Sequence, residues 1–307
     1  MNLKELTKNP ERISSGHRMC PGCIAPVVAR MVLKATNNPV VVASATGCLE
    51  VSTTIYPYTS WKVPFIHNAF ENCAATISGI ETAFRVLKRQ GKITKDIKFL
   101  AFGGDGGTYD IGLQSLSGAL ERGHDFVYVC YDNEAYMNTG IQRSSATPFG
   151  ASTKTAPAGK MHLGKEEFKK DLMGIVTAHK IPYVAQASIH NWNDLLTKAK
   201  KAFETKGPSF LNILSPCVPG WGISMDCGVS ISKIAVETCF WPLYEVINGE
   251  YKLNFNPNDK KLPIEEWLKP QMRFKHLFRP ENKHLIEKIQ NQVNKDWENL
   301  KKRCSNN

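Results

Sequence analysis

A glycine-rich segment with one carboxylate at its centre is the first feature of the sequence that could do chemistry. Residues 103–107 read Gly-Gly-Asp-Gly-Gly and directly follow an apolar stretch. Glycines let the backbone approach a ligand closely, and successive N–H groups then point at phosphate oxygens. A carboxylate among such amides would repel a phosphate unless a divalent cation lay between them, and Mg²⁺ typically takes one or two carboxylates together with phosphates. The segment therefore predicts a Mg²⁺ and phosphate site around Asp105, flanked by Gly104, Gly106 and Gly107.

An asparagine follows at a spacing that suits the same site. Asn133 comes just after the apolar residues 126–131, and 26 residues separate it from Gly106. If the two apolar stretches are adjacent parallel strands, Asp105 and Asn133 meet at one edge of the sheet, where an amide oxygen and a nearby main-chain carbonyl can bind the metal. The alternative is a tight turn with a helix-capping aspartate and a turn asparagine. Dinucleotide and P-loop sites are disfavoured because neither glycine pattern is present.

The nine cysteines form a second group of residues that could do chemistry. Their number is odd, the chain has 307 residues, and its first residues lack the apolar stretch of a secretion signal. These features favour metal or redox chemistry over a disulfide framework. Cys20 and Cys23 form a C-x₂-C pair, which serves in thioredoxin-like dithiols, zinc sites and [4Fe–4S] clusters. A dithiol of that type needs a preceding strand, which residues 12–19 do not resemble, whereas the other two sites need two more ligands.

Two more cysteines follow predicted strands at the same edge of the sheet. Cys48 comes after the apolar residues 39–45, and Cys217 comes after residues 210–214. Cys227 competes as the fourth ligand, but it lies in a predicted loop with no strand to place it. The expected ligand set is Cys20, Cys23, Cys48 and Cys217. The cysteines expected in the core or the C-terminal tail are Cys73, Cys130, Cys239 and Cys304.

Helical and strand patterns alternate along the chain, which indicates the fold class. The predicted helices cover residues 26–36, 70–90, 111–121, 165–179, 191–205 and about 282–302. The predicted strands cover residues 39–45, 97–102, 126–131, 183–187 and 210–214, and a hairpin covers residues 241–247 and 251–255. Residues 140–164 predict a long loop. Strands separated by single helices imply an α/β fold with a mostly parallel, doubly wound sheet that binds ligands at the carboxyl ends of its strands.

The basic charge bears on possible partners. Lys and Arg number 39 against 28 Asp and Glu, and the excess of +11 concentrates near the C-terminus. Such an excess can simply keep the surface soluble, or it can attract an acidic protein. The sequence has no nucleic-acid-binding signature and no run of 18 apolar residues, so we expect neither a nucleic acid nor a membrane partner, and we expect the protein in the cytoplasm.

The C-terminal segment is the second indication of a partner. We expect one cofactor-binding domain over residues 1–250 and a basic arm over residues 251–307. Several apolar side chains of the arm would be an exposed strip unless a neighbour covered them, so we expect the arm to contact another subunit or, alternatively, a small acidic redox protein. These side chains are Trp267, Leu268, Met272, Phe274, Leu277 and Phe278.

The segment from Asp132 to Gln142, with the Gly-Asp-Gly before it, resembles the β subunits of pyruvate:ferredoxin oxidoreductase and related 2-oxoacid:ferredoxin oxidoreductases. The resemblance runs from about residue 12 to about residue 250, and Gly-Asp-Gly followed by Asn is similar to the thiamine diphosphate motif. It implies thiamine diphosphate, Mg²⁺ and a [4Fe–4S] cluster as cofactors. It places on Mg²⁺ the side chains of Asp105 and Asn133 and the carbonyl of Ala135. It places at the thiamine cofactor Gly104, Gly106, Gly107, Thr139 and the catalytic Asn138, and it assigns the cluster to Cys20, Cys23, Cys48 and Cys217.

The same resemblance implies a reaction and partners. The reaction is the reversible oxidative decarboxylation of pyruvate to acetyl-CoA, with electrons passing through the cluster to ferredoxin. An α subunit would supply the glutamate that faces the aminopyrimidine, and γ and ferredoxin-like δ subunits would complete the complex. Residues 132–148 look most like the pyruvate branch, although relatives that act on other 2-oxoacids or oxalate share the architecture. The alternative outside the enzymes is a zinc-stabilised phosphate-binding module without redox activity.

Overall fold

The computed structural model describes residues 3–305, in which eight strands form one sheet. The strands are β1 Val40–Ala45, β2 Phe65–Asn68, β3 Lys98–Gly104, β4 Val127–Asp132, β5 Tyr183–Ser188, β6 Ser209–Leu214, β7 Tyr244–Ile247 and β8 Glu250–Leu253. The α-helices are α1 Leu3–Leu6, α2 Ala25–Lys34, α3 Cys48–Thr53, α4 Cys73–Arg89, α5 Leu113–Glu121, α6 Leu172–Thr177, α7 Trp192–Glu204, α8 Val218–Trp221, α9 Gly228–Glu237, α10 Glu265–Leu268 and α11 Lys283–Ser305.

The order of strands in the sheet is β2-β1-β3-β4-β6-β5-β7-β8. The first six strands are parallel, and β7 and β8 add an antiparallel hairpin at one edge. Asn248 and Gly249 join the hairpin with φ angles of 51° and 92°, which is the backbone that tight hairpin turns require. The predicted mostly parallel α/β class and the predicted hairpin are both confirmed.

Both faces of the sheet are buried, because alternate strand residues enter two different cores. In β1, Val42 packs with Leu100 in one core, whereas Ala43 packs with Ala101 in the other. A strand that is covered on both faces carries a nearly continuous apolar run. This is why β1, β3, β4 and β6 were recognisable as strands from their sequences. Cys73, Cys130 and Cys239 are buried in one of these cores, as expected.

The register of the parallel strands brings their carboxyl ends to one edge. Gly104 at the end of β3 lies opposite Tyr131 of β4, and Asp132 at the end of β4 lies opposite Leu214 of β6. The residues that follow these ends are therefore neighbours in space although they are far apart in sequence. The tertiary fold thus places Asp105, Asn133 and Cys217 on the same side of the sheet.

The prediction of a helix over residues 165–179 is largely wrong, because only Leu172–Thr177 is helical. Asp171 begins this helix by accepting a hydrogen bond from the Gly174 amide. In the preceding segment, the Lys165 ammonium donates to the carbonyl of Thr147 and the Lys169 ammonium pairs with Asp132. The main chain of this segment also bonds to the preceding loop: the Lys165 amide donates to the Ala151 carbonyl and the Lys170 amide to the Ser145 carbonyl, so these groups are not used in helical hydrogen bonds. These buried contacts therefore override the local helical pattern.

The expectation of an exposed apolar strip on the C-terminal arm is also wrong. Trp267, Leu268, Phe274 and Leu277 are buried in a core that also contains residues of β1 and β3, and of these six side chains Met272 is the one that is clearly exposed. The arm therefore covers its own apolar side chains by folding against the sheet domain. Its contact with a neighbouring subunit stays a prediction that now lacks this argument. The proposed boundary at residue 250 also falls within the β7–β8 hairpin.

Six of the described helices and strands were not predicted from the sequence: α1, α3, α8, α9, α10 and β2. The strand β2 has only four residues and is partly exposed at the edge of the sheet, so it lacks a long apolar run. The helix α3 begins at Cys48 and has six residues, too few for a clear helical periodicity. Among the residues that the structure describes, no helix combines the length and the apolar character needed to cross a membrane.

Candidate functional site

The glycine-rich segment lies where β3 passes into a π-helical turn over Gly106–Asp110. A Cβ atom on Gly106 would lie 2.4 Å from the ring of Tyr136. The Tyr136 hydroxyl in turn donates a hydrogen bond of 2.9 Å to the Gly106 carbonyl. Glycine at position 106 is therefore required by packing against Tyr136, whether or not a phosphate group also approaches it.

Asp105 is fully buried at the start of this turn. The Ser144 hydroxyl donates to its Oδ2 atom (2.5 Å), and the main-chain N–H of Asn133 donates to its Oδ1 atom (3.3 Å). Burial, together with the nearby charge of Asp132, raises the pKa of Asp105 well above its usual range. A buried carboxylate in this situation is poorly compensated by the protein alone, and a divalent cation beside it would offset the cost.

The side chain of Asn133 joins Asp105 to the carbonyl of Ala135. One terminal atom of its amide group lies 2.8 Å from Asp105 Oδ1 and 2.9 Å from the Ala135 oxygen; when this atom is the nitrogen, it donates to both. A carboxylate, an amide and a main-chain carbonyl thus converge within hydrogen-bonding distance. After rotation of the amide, all three groups would present oxygen atoms, the ligands that Mg²⁺ prefers. These residues fit a magnesium ion.

A shallow cleft opens next to these groups. It is lined by all eight residues predicted to bind the thiamine cofactor and by others from the neighbouring strand ends. The predicted lining residues are Gly104, Asp105, Gly106, Gly107, Asn133, Ala135, Asn138 and Thr139. The further ones are Thr46, Gly47, Cys48, Phe70, Tyr131, Tyr136 and Met137. The fold therefore gathers the predicted cofactor residues around one cleft, in which Asn138 and Thr139 are exposed.

The four predicted cluster cysteines lie close enough to influence one another electrostatically. Burial, with added repulsion from Cys217 and Cys20, raises the pKa of Cys23 to about 12. Burial, with repulsion from Cys217, Cys23 and Cys20, raises the pKa of the Cys48 thiol to about 12. The pKa of Cys217 rises to about 11, again mainly through burial and with a contribution from Cys20. Four thiols gathered in this way can be held as thiolates by a metal cluster, which favours deprotonation of its ligands.

Cys227 contributes to none of these pKa shifts, and its thiol donates instead to the neighbouring Asp226. Cys227 lies at the N-terminus of α9. The loop before it packs closely against the Cys20–Cys23 turn, as shown by Gly22: a Cβ atom there would lie 2.2 Å from the Met225 carbonyl oxygen. Within residues 3–305, no three Cys, His, Asp or Glu side chains are close enough to ligate a metal ion. The four thiols are therefore neighbours without being a ready-made ligand set.

The cysteine group and the cleft are adjacent. Cys48 lines the cleft, and the charge of Asp105 contributes to the raised pKa of both Cys48 and Cys217. Cys217 begins the short helix α8, whose last residue, Trp221, donates from its indole nitrogen to the Asn133 carbonyl (2.8 Å). One hydrogen bond thus connects the segment that carries Cys217 to the turn that carries Asn133.

Several residues of the site were missed by reasoning from the sequence: Glu134, Ser144, Lys169, Trp221 and Arg273. Ser144 bonds to Asp105 from the long loop over residues 140–164, which contains no helix or strand. Lys169 lies in the segment that was predicted to be helical. Arg273 lies in the C-terminal arm. Glu134 lies within the segment 132–142 but was given no role, whereas Ser144, Lys169, Trp221 and Arg273 lie outside any motif and reach the site through the tertiary fold.

A comparison with protein families places this domain among the thiamine pyrophosphate enzymes. Residues 45–213 match the model of the thiamine pyrophosphate enzymes, C-terminal TPP binding domain. Among solved structures, the chain is similar to a 2-oxoglutarate:ferredoxin oxidoreductase from Magnetococcus marinus, with a TM-score of 0.59 and 21% identity over 93% of this chain and 95% of the other. At that identity, the structural match supports the fold.

Comparison with curated proteins narrows the class. The chain is 53% identical to the pyruvate synthase subunit PorB of Thermotoga maritima over 98% of this chain and 95% of the relative. It is 52% identical to PorB of Methanocaldococcus jannaschii over 92% of this chain and 94% of the relative. It is also 44% identical to the ketoisovalerate oxidoreductase subunit VorB of Pyrococcus furiosus over 98% and 96% of the two chains. The chain belongs to the family of pyruvate synthase subunit PorB.

Proposed function

We propose that this chain is the thiamine- and cluster-binding subunit of a pyruvate:ferredoxin oxidoreductase, which oxidises pyruvate reversibly to acetyl-CoA and reduces ferredoxin. The observation that carries the proposal is the convergence of Asp105, Asn133 and Ala135 beside the cleft. Higher identity to the two PorB chains than to the ketoisovalerate relative supports pyruvate as the 2-oxoacid. The same chemistry on another 2-oxoacid or on oxalate is the first alternative.

In this proposal Asp105, the Asn133 side chain and the Ala135 carbonyl hold Mg²⁺, and the metal binds the diphosphate. The backbone of Gly104, Gly106 and Gly107 lines the diphosphate end of the cleft, and the exposed Asn138 and Thr139 lie at its rim, where a substrate can reach Asn138. When bound, thiamine diphosphate stabilises the carbanion character that develops as CO₂ leaves the 2-oxoacid. The protein's part is to bind, orient and shield the reacting groups.

Cys20, Cys23, Cys48 and Cys217 hold a [4Fe–4S] cluster in this proposal. Their mutual electrostatic influence and the position of Cys48 in the cleft support a cluster beside the cofactor. A cluster held there would supply a one-electron acceptor between the cofactor site and ferredoxin. The α subunit would supply the remaining acid–base glutamate, and γ and δ subunits would complete the complex and carry electrons onward.

The test is a binding measurement on the full-length chain with any subunits that accompany it. Wild-type protein should retain thiamine diphosphate in equilibrium dialysis when Mg²⁺ is present and release it when Mg²⁺ is chelated. Asp105→Asn should lose this Mg²⁺-dependent retention while its circular dichroism spectrum stays that of the wild type. Retention by Asp105→Asn equal to that of the wild type would contradict the assignment.

A spectrum and a substrate assay test the other parts. Anaerobically purified protein should be brown, with broad absorption near ~400 nm from thiolate-bound iron. A colourless chain that contains stoichiometric zinc would support the zinc-stabilised binding module instead. With α, γ and δ subunits present, pyruvate should be oxidised faster than 2-oxoisovalerate, 2-oxoglutarate or oxalate, and the isolated chain should be inactive.

A further inference from the structure

The turn that carries Asn133 and Ala135 contains a residue in an unusual conformation. Glu134, which lies between them, has a φ angle of 69°. This left-handed backbone is disfavoured for residues other than glycine and is kept only where the surroundings enforce it. It orients the turn so that the Asn133 side chain and the Ala135 carbonyl both reach the Asp105 side. The contacts that enforce this backbone therefore bear directly on the metal site.

The Glu134 side chain is fully buried and is held by two cations. Its Oε2 atom lies 2.6 Å from Nη2 of Arg273, and its Oε1 atom lies 3.2 Å from Nζ of Lys169. Lys169 also pairs with the buried Asp132 at 2.8 Å. On the backbone, the Thr147 hydroxyl donates to the Glu134 carbonyl at 2.7 Å. Both the side-chain carboxylate and the main-chain carbonyl of Glu134 are thus held in place by these contacts.

Arg273 reaches this position from the C-terminal arm and is itself fixed in place. Its Nε donates to the Gln271 side chain (2.9 Å), and its guanidinium carbon lies 4.0 Å from the ring centre of Trp221. Trp221 donates in turn to the Asn133 carbonyl. An arginine can stack on an aromatic ring while its planar fork bonds to two acceptors, which a lysine cannot do. Arg273 therefore joins both sides of the turn, through Glu134 and through Trp221.

We propose that Arg273 is a positioning residue, which keeps the Asn133–Ala135 turn in the conformation that binds Mg²⁺ by holding Glu134 and Trp221 together. The proposal rests on the proposed function, because it concerns the affinity of that site for Mg²⁺ with thiamine diphosphate. It gives the C-terminal arm a part in cofactor binding although the arm lies outside the predicted cofactor domain. Residues that orient metal ligands typically change metal affinity by about 10- to 100-fold when they are replaced.

The experiment compares two buried glutamates by the same substitution. Glu134→Gln removes the charge that pairs with Arg273. The control is Glu245→Gln: Glu245 in β7 is also almost fully buried, pairs with Lys201 at 2.8 Å and accepts from the Tyr183 hydroxyl at 2.9 Å, but it lies outside the cleft. The Mg²⁺ concentration for half-maximal retention of thiamine diphosphate and the thermal midpoint are measured for each full-length protein.

The expected result is a rise of about tenfold or more in the Mg²⁺ requirement of Glu134→Gln, reversed by excess Mg²⁺. Glu245→Gln should need the same Mg²⁺ as the wild type even if its thermal midpoint falls as far. Arg273→Lys should behave like Glu134→Gln, and it decides the question if Glu134→Gln does not fold. An unchanged Mg²⁺ requirement in Arg273→Lys or in folded Glu134→Gln would overturn the proposal, as would an equal rise in Glu245→Gln.

Failure of the proposed function gives a different pattern. If Asp105→Asn binds thiamine diphosphate and Mg²⁺ like the wild type, the site itself is misassigned. If Asp105→Asn loses binding while the Glu134 and Arg273 variants keep the wild-type Mg²⁺ requirement, the site is correct and only the role of Arg273 is rejected.

Discussion

The indole nitrogen of Trp221 donates a hydrogen bond of 2.8 Å to the main-chain oxygen of Asn133. Trp221 is fully buried, and its amide donates to the carbonyl of Cys217 one helical turn earlier. The candidate metal ligand and the candidate cluster ligand are therefore joined through a few covalent bonds and two hydrogen bonds. A change at either site that moves α8 will be transmitted to the other.

Replacing this tryptophan should affect both stability and cofactor binding. Trp221→Phe leaves the buried Asn133 carbonyl without its donor, which we expect to cost about 1–3 kcal/mol. Trp241→Phe is the matched control, since Trp241 is equally buried and its indole donates at 2.8 Å to the Ala187 carbonyl, away from Asn133. Urea unfolding should show similar losses for both variants. Only Trp221→Phe should bind thiamine diphosphate more weakly, and equal binding by the two variants would count against the link.

Cysteine substitutions should separate the two candidate fourth ligands of the cluster. Cys217→Ser should lose or convert the cluster, because this thiol is electrostatically coupled to Cys20 and Cys23. Cys227→Ser should keep it, since that thiol bonds to Asp226. Iron content and the visible spectrum of the two anaerobically purified variants are the measurements. Iron loss in Cys227→Ser together with retention in Cys217→Ser would show that the ligand set is wrong.

The glycine at position 106 should tolerate no side chain. Gly106→Ala would place a methyl group 2.4 Å from the Tyr136 ring, and we expect overpacking to cost about 1–3 kcal/mol and to displace the cleft wall. Gly79→Ala in α4 is the control: nothing lies within 4 Å of its added methyl group, so alanine should stabilise the helix by roughly 0.5–1 kcal/mol. Denaturant unfolding of both variants gives the comparison. A neutral Gly106→Ala would mean that Tyr136 moves freely.

Deletion of residues 265–307 should prevent folding rather than release a dispensable arm. The deletion removes the fully buried Trp267, Phe274 and Leu277 from the main core. Replacing a single buried aromatic residue by alanine typically costs 3–5 kcal/mol, and a domain has roughly 5–15 kcal/mol to lose. Solubility and circular dichroism of the truncated chain are the measurements. A soluble truncated chain with cooperative unfolding would show instead that residues 3–264 fold without the arm.

The strand pattern alone was enough to predict the parts of the candidate site that follow strands in order. Apolar runs covered on both faces marked β1, β3, β4 and β6, and parallel pairing then required Cys48, Asp105, Asn133 and Cys217 to meet at one edge. This inference works because strand pairing and crossover handedness leave few topologies. The Gly-Asp-Gly segment could be assigned to the same edge because its residue types report both backbone freedom and charge.

The contacts that hold those residues in place could be seen only in the folded protein. Arg273 reaches Glu134 from the C-terminal arm, and Ser144 reaches Asp105 from an irregular loop. Residues 165–171 are not helical because their main chain bonds to that loop, the Lys165 amide to Ala151 and the Lys170 amide to Ser145. Long polar side chains can meet from any sequence separation, and main-chain hydrogen bonds to a distant loop outweigh the small helical preference of a short segment. The sequence therefore specified where the strand ends meet, whereas the fold specified which distant charges fix the turn between them.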